Sequence, residues 1–201
     1  MTDTRLLEQG TDEWKAARLG CVTASNITEV LSKGVGRETY KRKLVAERLT
    51  MQAGESFSNA AMEWGTAQEP FARIAYEVSS GTFVDKTGFH LHDTIAWLGA
   101  SPDGLIGEDG LIEIKCPNTA THLEYWFDGE APAKYHKQIQ CQLWVTKRSW
   151  CDFVSYDPRL DINKLFVVRV ERDNKLIDKM QSEANVFLAE VNDMVNKFKG
   201  N

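Results

Sequence analysis

The stretch Ala96 to Lys115 constrains the fold of this chain more than any other. Short apolar runs, Ala96 to Ala100, Leu105-Ile106 and Leu111 to Ile114, are separated by Gly- and Asp-rich turns, a pattern that forms strands and not helices. Within it, Ser101-Pro102-Asp103-Gly104 is followed, after eight residues, by Glu113-Ile114-Lys115. Side chains alternate across a strand, so Glu113 and Lys115 share one face while Ile114 packs into the other. Asp103 lies in a Pro-Asp-Gly turn, and a hairpin around Gly107-Glu108-Asp109-Gly110 can fold it back beside Glu113.

Further strands are expected at Thr82 to Asp85, Gly88 to Leu91, Trp150 to Ser155 and Leu165 to Val170. The run from Thr82 to Ile114 reads as a β-meander. Helical periodicity predicts helices over Asp12 to Leu19, from Thr23-Ala24-Ser25 to near Gly34, and from Arg37 to Met51. Others run from Asn59 to Ser79, where Gly65 and Pro70 weaken or bend the early part, from Tyr135 to Thr146, and from Asp173 to Phe198. With 201 residues, no repeat and no linker, the expected architecture is one α/β domain over residues 1–201, a central mixed sheet flanked by helices.

Composition removes several function classes. A net charge of −5 argues against a surface coated in basic charge, although the window Ser32 to Thr50 carries six basic and two acidic residues. The four cysteines form no C-x-x-C pair, which excludes zinc-ribbon, thioredoxin and clustered iron–sulfur chemistry. His90 and His92 stand two apart, and His122 and His136 lie far from any cysteine pair. Gly99-Ala100-Ser101-Pro102-Asp103 lacks the second glycine of a serine-hydrolase elbow. No apolar run reaches membrane-spanning length, and Met1-Thr2-Asp3-Thr4-Arg5 is not a signal-peptide opening, so no membrane association and a cytoplasmic location are expected.

Two carboxylates converging on one point repel, and such pairs usually share a proton or a divalent cation. Hard oxygen ligands suit Mg²⁺, which can bind a phosphate oxygen and a water, while Lys115 helps deprotonate that water or steadies charge on phosphorus. On the residues alone a plainer reading stays open: Glu113 and Lys115 as a solvated salt bridge on an edge strand, with Asp103 an ordinary turn residue.

The wider sequence resembles the PD-(D/E)XK nuclease superfamily, and within it the phage lambda exonuclease-type viral recombinase family. The resemblance rests on Trp14 with Arg18-Leu19-Gly20, Thr23-Ala24-Ser25, Trp64-Gly65 with Glu69, Ser101-Pro102-Asp103-Gly104 and Glu113-Ile114-Lys115-Cys116-Pro117. It continues through Gln138-Ile139-Gln140, Trp144-Val145-Thr146 and Tyr156-Asp157-Pro158-Arg159, so it spans nearly the whole chain in the family's order.

The resemblance implies a restriction-endonuclease-like fold and a processive 5′ to 3′ exonuclease. Such an enzyme resects one strand of linear duplex DNA to mononucleotides and leaves a 3′ single strand. It implies Asp103, Glu113, Glu69 and the Ile114 carbonyl as ligands of one or two Mg²⁺ ions, with Mn²⁺ as a substitute. Lys115 would stand beside the attacking water, and Gln138 would orient the lysine, a water or the terminal nucleotide. Arg18, Ser25 and Ser101 match a pocket for the 5′-terminal phosphate, and Met62 matches an apolar wedge between terminal base pairs.

Read alone, these residues have plainer roles: a helix-surface acid for Glu69, a polar helix face for Gln138, an N-cap for Ser25, a helix-end arginine for Arg18 and a core methionine for Met62. The tryptophans Trp14, Trp97, Trp126, Trp144 and Trp150 read as core or subunit contacts. The resemblance further implies a homotrimeric ring around DNA and a single-strand annealing protein as partner. Lys33, Arg37, Lys41, Arg42, Lys134, Lys137, Lys147 and Arg148 would partly line its channel. An endonuclease on the same core, or an end-binding module with a vestigial site, are the rival functions.

Overall fold

A computed structural model describes residues 3–54 and 59–200; Met1 and Thr2, which open the signal-peptide reading, lie outside them. After a 3-10 turn at Thr4–Leu6 come α1 (Asp12–Ala17), β1 (Val22–Thr23), α2 (Ile27–Leu31), α3 (Val35–Thr50) and α4 (Ala60–Ser80). Then follow β2 (His90–Leu91), β3 (Leu98–Ala100), β4 (Gly104–Ile106), β5 (Gly110–Lys115), α5 (Thr119–Asp128), α6 (Ala133–Thr146), β6 (Trp150–Tyr156), β7 (Leu165–Glu171) and α7 (Asn174–Lys199).

The strands form two sheets. The smaller has the order β1-β3-β2, with β1 parallel and β2 antiparallel to β3. The larger has the order β4-β5-β6-β7, in which β4 and β5 form the expected hairpin, β5 and β6 are parallel, and β7 is antiparallel to β6. The expected meander is therefore broken at Ser101-Pro102-Asp103, where the chain leaves one sheet for the other. A proline cannot donate to a ladder, so this is a natural place for pairing to stop.

Alternation along β5 sorts its side chains between two cores. Ile112 and Ile114 pack with Ala72 and Tyr76 of α4, whereas Leu111 packs with Ile139 and Leu143 of α6 and Phe153 of β6. Glu113 and Leu111 project to the same face, so Glu113 faces α6. A third core joins α2, α3, α7 and the small sheet through Val22, Ile27, Leu44, Leu98, Phe187 and Val191, and takes Cys141 and Trp144 from α6. Helix α6 is thus packed between apolar cores, and its Gln140 and Gln142 lie in the interior.

Four expectations change. Thr82 to Asp85 is no strand: the Glu77 carboxylate takes the Val84 N–H at 2.8 Å, and only an isolated bridge joins Asp85 to Leu105. The helix expected from Thr23 splits into a 3-10 turn at Ala24–Asn26 and the short α2, because Thr23 is used in β1. Helix α4 runs unbroken through Gly65 and Pro70, at a turn exposed enough for water to serve the carbonyl that proline leaves free. Helix α5 was not expected, although Asn118, whose side chain accepts the Thr121 N–H at 2.9 Å, and left-handed Gly129 mark its two ends.

Candidate active site

The hairpin ends before β5 does. Gly104 is the first residue of β4 and pairs with Ile112, so β5 continues from Glu113 to Lys115 with no strand on that side. Asp103 fills the gap. Its own N–H donates to the Ile112 carbonyl at 3.2 Å, and its Oδ2 accepts the Ile114 N–H at 2.6 Å. The N–H and C=O of a strand residue point to the same side, so the Ile114 carbonyl shares this open edge with Asp103.

Glu113 is only 1% exposed, and a buried carboxylate must be hydrogen-bonded. Its Oε1 accepts from the Lys115 ammonium and, at 2.6 Å, from the Gln138 amide; its Oε2 accepts from the Gln142 amide at 2.6 Å. Both amides come from α6, one turn apart, at the i and i+4 spacing that places side chains on one helix face. Gln138 was expected at the site; Gln142 was not. The Gln138/Gln142 spacing was the available signal, but whether that face meets Glu113 depends on α6 packing against β5.

The charges are unbalanced. Burial raises the Asp103 carboxyl well above its ordinary value; Glu113 and Glu69 raise it further, against the opposing pull of Lys115 and the Ile114 N–H. Burial acts to lower the Lys115 pKa, yet Glu113 and Asp103 outweigh it and the ammonium is held above its usual range. The Cys116 thiol is pushed up to about 12 by burial and by Glu69 and Asp103, which leaves it a poor nucleophile. Glu69 lies on α4, the helix whose Ala72 and Tyr76 pack with Ile112 and Ile114, and its Oε1 accepts from Arg73 at 3.1 Å. Asp103, Glu113 and Lys115 are brought to one end of β5, with Glu69 on the helix that packs against that strand.

Among the described residues no three His, Cys, Asp or Glu side chains close into a ready metal cage. The donor set nevertheless suits one class of ion. Asp103 Oδ1 has no hydrogen-bond partner among the described residues, Ile114 offers a carbonyl on the same edge, and the surplus negative charge calls for a cation. Mg²⁺ needs just this, one or two carboxylates with the rest of its shell left to water and substrate.

Beside Gln138 and Gln142 opens a cavity of about 150 Å³, lined also by Gln9, Trp14, Arg18, Thr23, Ala24, Ser25 and Ser101. Arg18 ends α1 with its guanidinium 4.0 Å from the Trp14 ring centre, and its Nη1 donates to Ser101 Oγ at 2.8 Å. Trp14 Nε1 donates to the same oxygen at 3.1 Å. With both lone pairs engaged, the Ser101 hydroxyl has its proton left to donate. Arg18 is half-buried, and burial lowers its pKa, but a guanidinium keeps its charge at any physiological pH.

Ser25 is exposed and caps no helix; it sits inside the 3-10 turn with its Oγ 3.2 Å from Thr23 Oγ1. The N-cap reading of Ser25 and the plain helix-end reading of Arg18 both give way to a shared cavity wall. Trp14, expected in the core, is instead part of that wall. Met62 is 55% exposed in the first turn of α4, so it is no core methionine.

Several basic residues expected along a channel are committed elsewhere. Arg37 and Lys41 both grip Glu190 at 2.6 Å, Lys147 pairs with Asp93 at 2.5 Å, and Arg148 donates to the carbonyls of Ile106, Gly107 and Gly110. Their charges are neutralised within the fold or spent on backbone. Lys134, by contrast, lies 5.0 Å from the Tyr135 ring, close to the end of β5.

A mixed sheet with helices on both faces, and acids gathered where one strand outruns its neighbour, is the restriction-endonuclease-like architecture that the sequence motifs imply. The chain belongs to the YqaJ-like viral recombinase domain family, which it matches over residues 13–149. It is 48% identical to an alkaline exonuclease, LHK-Exo, from Laribacter hongkongensis, with a TM-score of 0.90 over 94% of this chain and 96% of that one. The structure of LHK-Exo in complex with dAMP is as similar, with a TM-score of 0.89. A phage-related exonuclease from Haemophilus somnus 129PT shares the fold at 16% identity, with a TM-score of 0.70 over 89% of this chain and 96% of that one. Uncharacterized protein R354 of Acanthamoeba polyphaga mimivirus is 28% identical in an alignment of 165 positions that covers 73% of this chain and 29% of that protein. This chain thus spans less than a third of the length of that relative.

Proposed function

We propose that this chain is a divalent-metal-dependent DNA exonuclease that degrades one strand of linear duplex DNA from its 5′ end, releasing mononucleotides and leaving a 3′ single strand. One observation carries the reading: the cavity lined by Arg18, Ser25 and Ser101 is also lined by Gln138 and Gln142, the two residues whose amides donate to Glu113. A terminal phosphate seated at the first group places the adjacent phosphodiester at the acids. Polarity then follows from geometry. The 48% identity to an alkaline exonuclease whose structure was solved with dAMP supports both the activity and a mononucleotide product.

Arg18 offers its remaining N–H groups as a planar fork to the phosphate, and the Ser101 and Ser25 hydroxyls add donors. Asp103, Glu113, Glu69 and the Ile114 carbonyl would hold Mg²⁺, or Mn²⁺ in its place, as one ion or two. When bound, the ion supplies Lewis-acid polarisation of a phosphate oxygen and acidifies a water. Lys115 keeps its proton and presents N–H groups to that water and to the charge that accumulates on the phosphorus oxygens. Gln138 fixes Glu113 from α6, and the exposed Met62 stands ready to replace lost stacking when the terminal pair opens.

The same reading takes residues 1–201 as one nuclease domain that assembles into a trimeric ring around DNA, hands its 3′ strand to a single-strand annealing protein, and works in the cytoplasm of a bacterial or phage-infected cell. Among the described residues no helix is long and apolar enough to cross a membrane. Strand-specific digestion of an end-labelled linear duplex, with and without Mg²⁺, tests the proposal. Release of 5′-labelled mononucleotide only with metal is expected. Rapid cutting of covalently closed circular DNA, which has no end, would overturn it.

A further inference from the structure

Gln142 has a role that neither the motifs nor the resemblance assigns. Its side chain is buried, and its Nε2 meets Glu113 Oε2 at 2.6 Å. A carboxylate oxygen only accepts, so the amide must turn its NH₂ toward Glu113. That choice fixes the other end: Oε1 is buried with no hydrogen-bond partner among the described residues. Gln140, on the same helix, shows what a structural glutamine does here. Its Nε2 donates to the Glu171 carbonyl and its Oε1 accepts the Asp173 N–H, both at 2.7 Å, so both ends are engaged in joining α6 to the end of β7. Gln142 satisfies one end only.

We infer that Gln142 is a positioning residue: its amide N–H locks Glu113 in the metal-binding orientation independently of Lys115. Independence from Lys115 matters because Glu113 Oε1 is shared by Lys115 and Gln138, whereas among the described residues Oε2 is held by Gln142 alone. When Lys115 turns toward a water or a phosphate, the Oε1 side loses its charged donor, and the bond from Gln142 keeps the carboxylate plane from rotating. Groups that orient a metal ligand typically change metal affinity or activity by 10–100-fold when removed.

The inference rests on the nuclease reading, and the experiment separates the two. Mn²⁺ affinity is measured by calorimetry on the intact chain, alongside kcat and KM on linear duplex and the metal-free melting temperature, for the wild type, Gln142→Met and Gln142→Ala. Gln142→Met fills the space but cannot donate. It is expected to weaken Mn²⁺ binding and lower kcat by about 10-fold or more each, with KM for DNA ends unchanged. Gln142→Ala leaves room for a water to donate to Glu113 in place of the amide, so its loss of affinity should be smaller than that of the larger methionine. A merely structural glutamine would give the opposite ranking, with the cavity-forming alanine worse and melting temperature tracking activity. Wild-type metal affinity and kcat in Gln142→Met, or that opposite ranking, would overturn the inference. Failure of the wild type itself to bind Mn²⁺ or digest duplex would instead sink the nuclease reading.

Discussion

The two ends of the candidate site, the acids on β5 and the cavity around Arg18, are built on different principles. The acid end is set by backbone: Asp103 is tied to β5 through its N–H and its Oδ2, and Glu113 projects from β5 into donors on α6. Three of the roughly four lone-pair positions on Glu113 are occupied. The anion end is assembled from side chains far apart in sequence, with Arg18 and Ser101 83 residues apart, and keeps donors in reserve. Groups that must hold a fixed charge geometry are over-determined by the fold. Groups that must meet a ligand are positioned by one or two bonds and left unsatisfied.

The largest effect should come from breaking the acid end. Asp103→Ala and Glu113→Ala are expected to abolish hydrolysis while filter or fluorescence binding to duplex ends persists. Lys115→Ala should lower kcat on the order of 10²- to 10⁴-fold; undiminished digestion by Lys115→Ala in Mg²⁺ would remove the proposed mechanism.

The anion end should fail more selectively. Arg18→Ala removes hydrogen bonds to a charged phosphate, each worth about 1.5–3 kcal/mol, so activity on 5′-phosphorylated ends should fall by roughly 10- to 100-fold. Activity on 5′-hydroxyl ends should change little. Equal losses on the two substrates, compared in the same digestion assay, would show that Arg18 does not read the phosphate.

Between the two lies the strand-opening step. Met62→Ala should slow digestion of blunt duplex by roughly three- to tenfold, since only stacking surface is lost. A duplex with frayed terminal pairs should restore the rate, and a variant equally slow on frayed and paired ends would refute the wedge.

The smallest effect tests the basic residues that do not belong to either end. The Glu190 carboxyl is pushed down to about 2, first by its hydrogen bond with Arg37 and then, against burial, by Lys41. Because its folded pKa is depressed, its contribution to stability is present above the ordinary value of 4.5 and is lost as the pH falls toward 2. The pair is partly exposed, so Glu190→Gln should cost about 1 kcal/mol or less at neutral pH and leave hydrolysis unchanged. Denaturant melts at several pH values measure the first, and the labelled-end assay measures the second.

Much of this was legible before folding was considered. The period-two run from Leu111 to Lys115 places Glu113 and Lys115 on one face, and the hairpin around Gly107 to Gly110 folds Asp103, in its Pro-Asp-Gly turn, back beside Glu113. Both hold in the structure. Helix α5 could have been read from Asn118 and Gly129, which cap its ends, but its interior, Thr119 to Asp128, carries no clean apolar stripe. The commitment of Arg37 to Glu190 spans 153 residues, and no local pattern reports a partner at that distance. The same limit hid Gln142, whose significance comes from the face of α6 that packs over β5 rather than from its immediate neighbours.

The sequence by itself determined the strand pattern, the alternation that divides β5 between two cores, and the acid–acid–lysine spacing, because these depend on local backbone geometry and the burial of apolar side chains. Only the tertiary structure decided that α6 lays its amides on Glu113, that Arg18 and Ser101 meet in one cavity, and which cations stay free to meet a ligand. Those outcomes depend on helix packing and on long-range pairing of charges, where a shift of α6 that turned its glutamines away would leave the buried Glu113 with Lys115 alone.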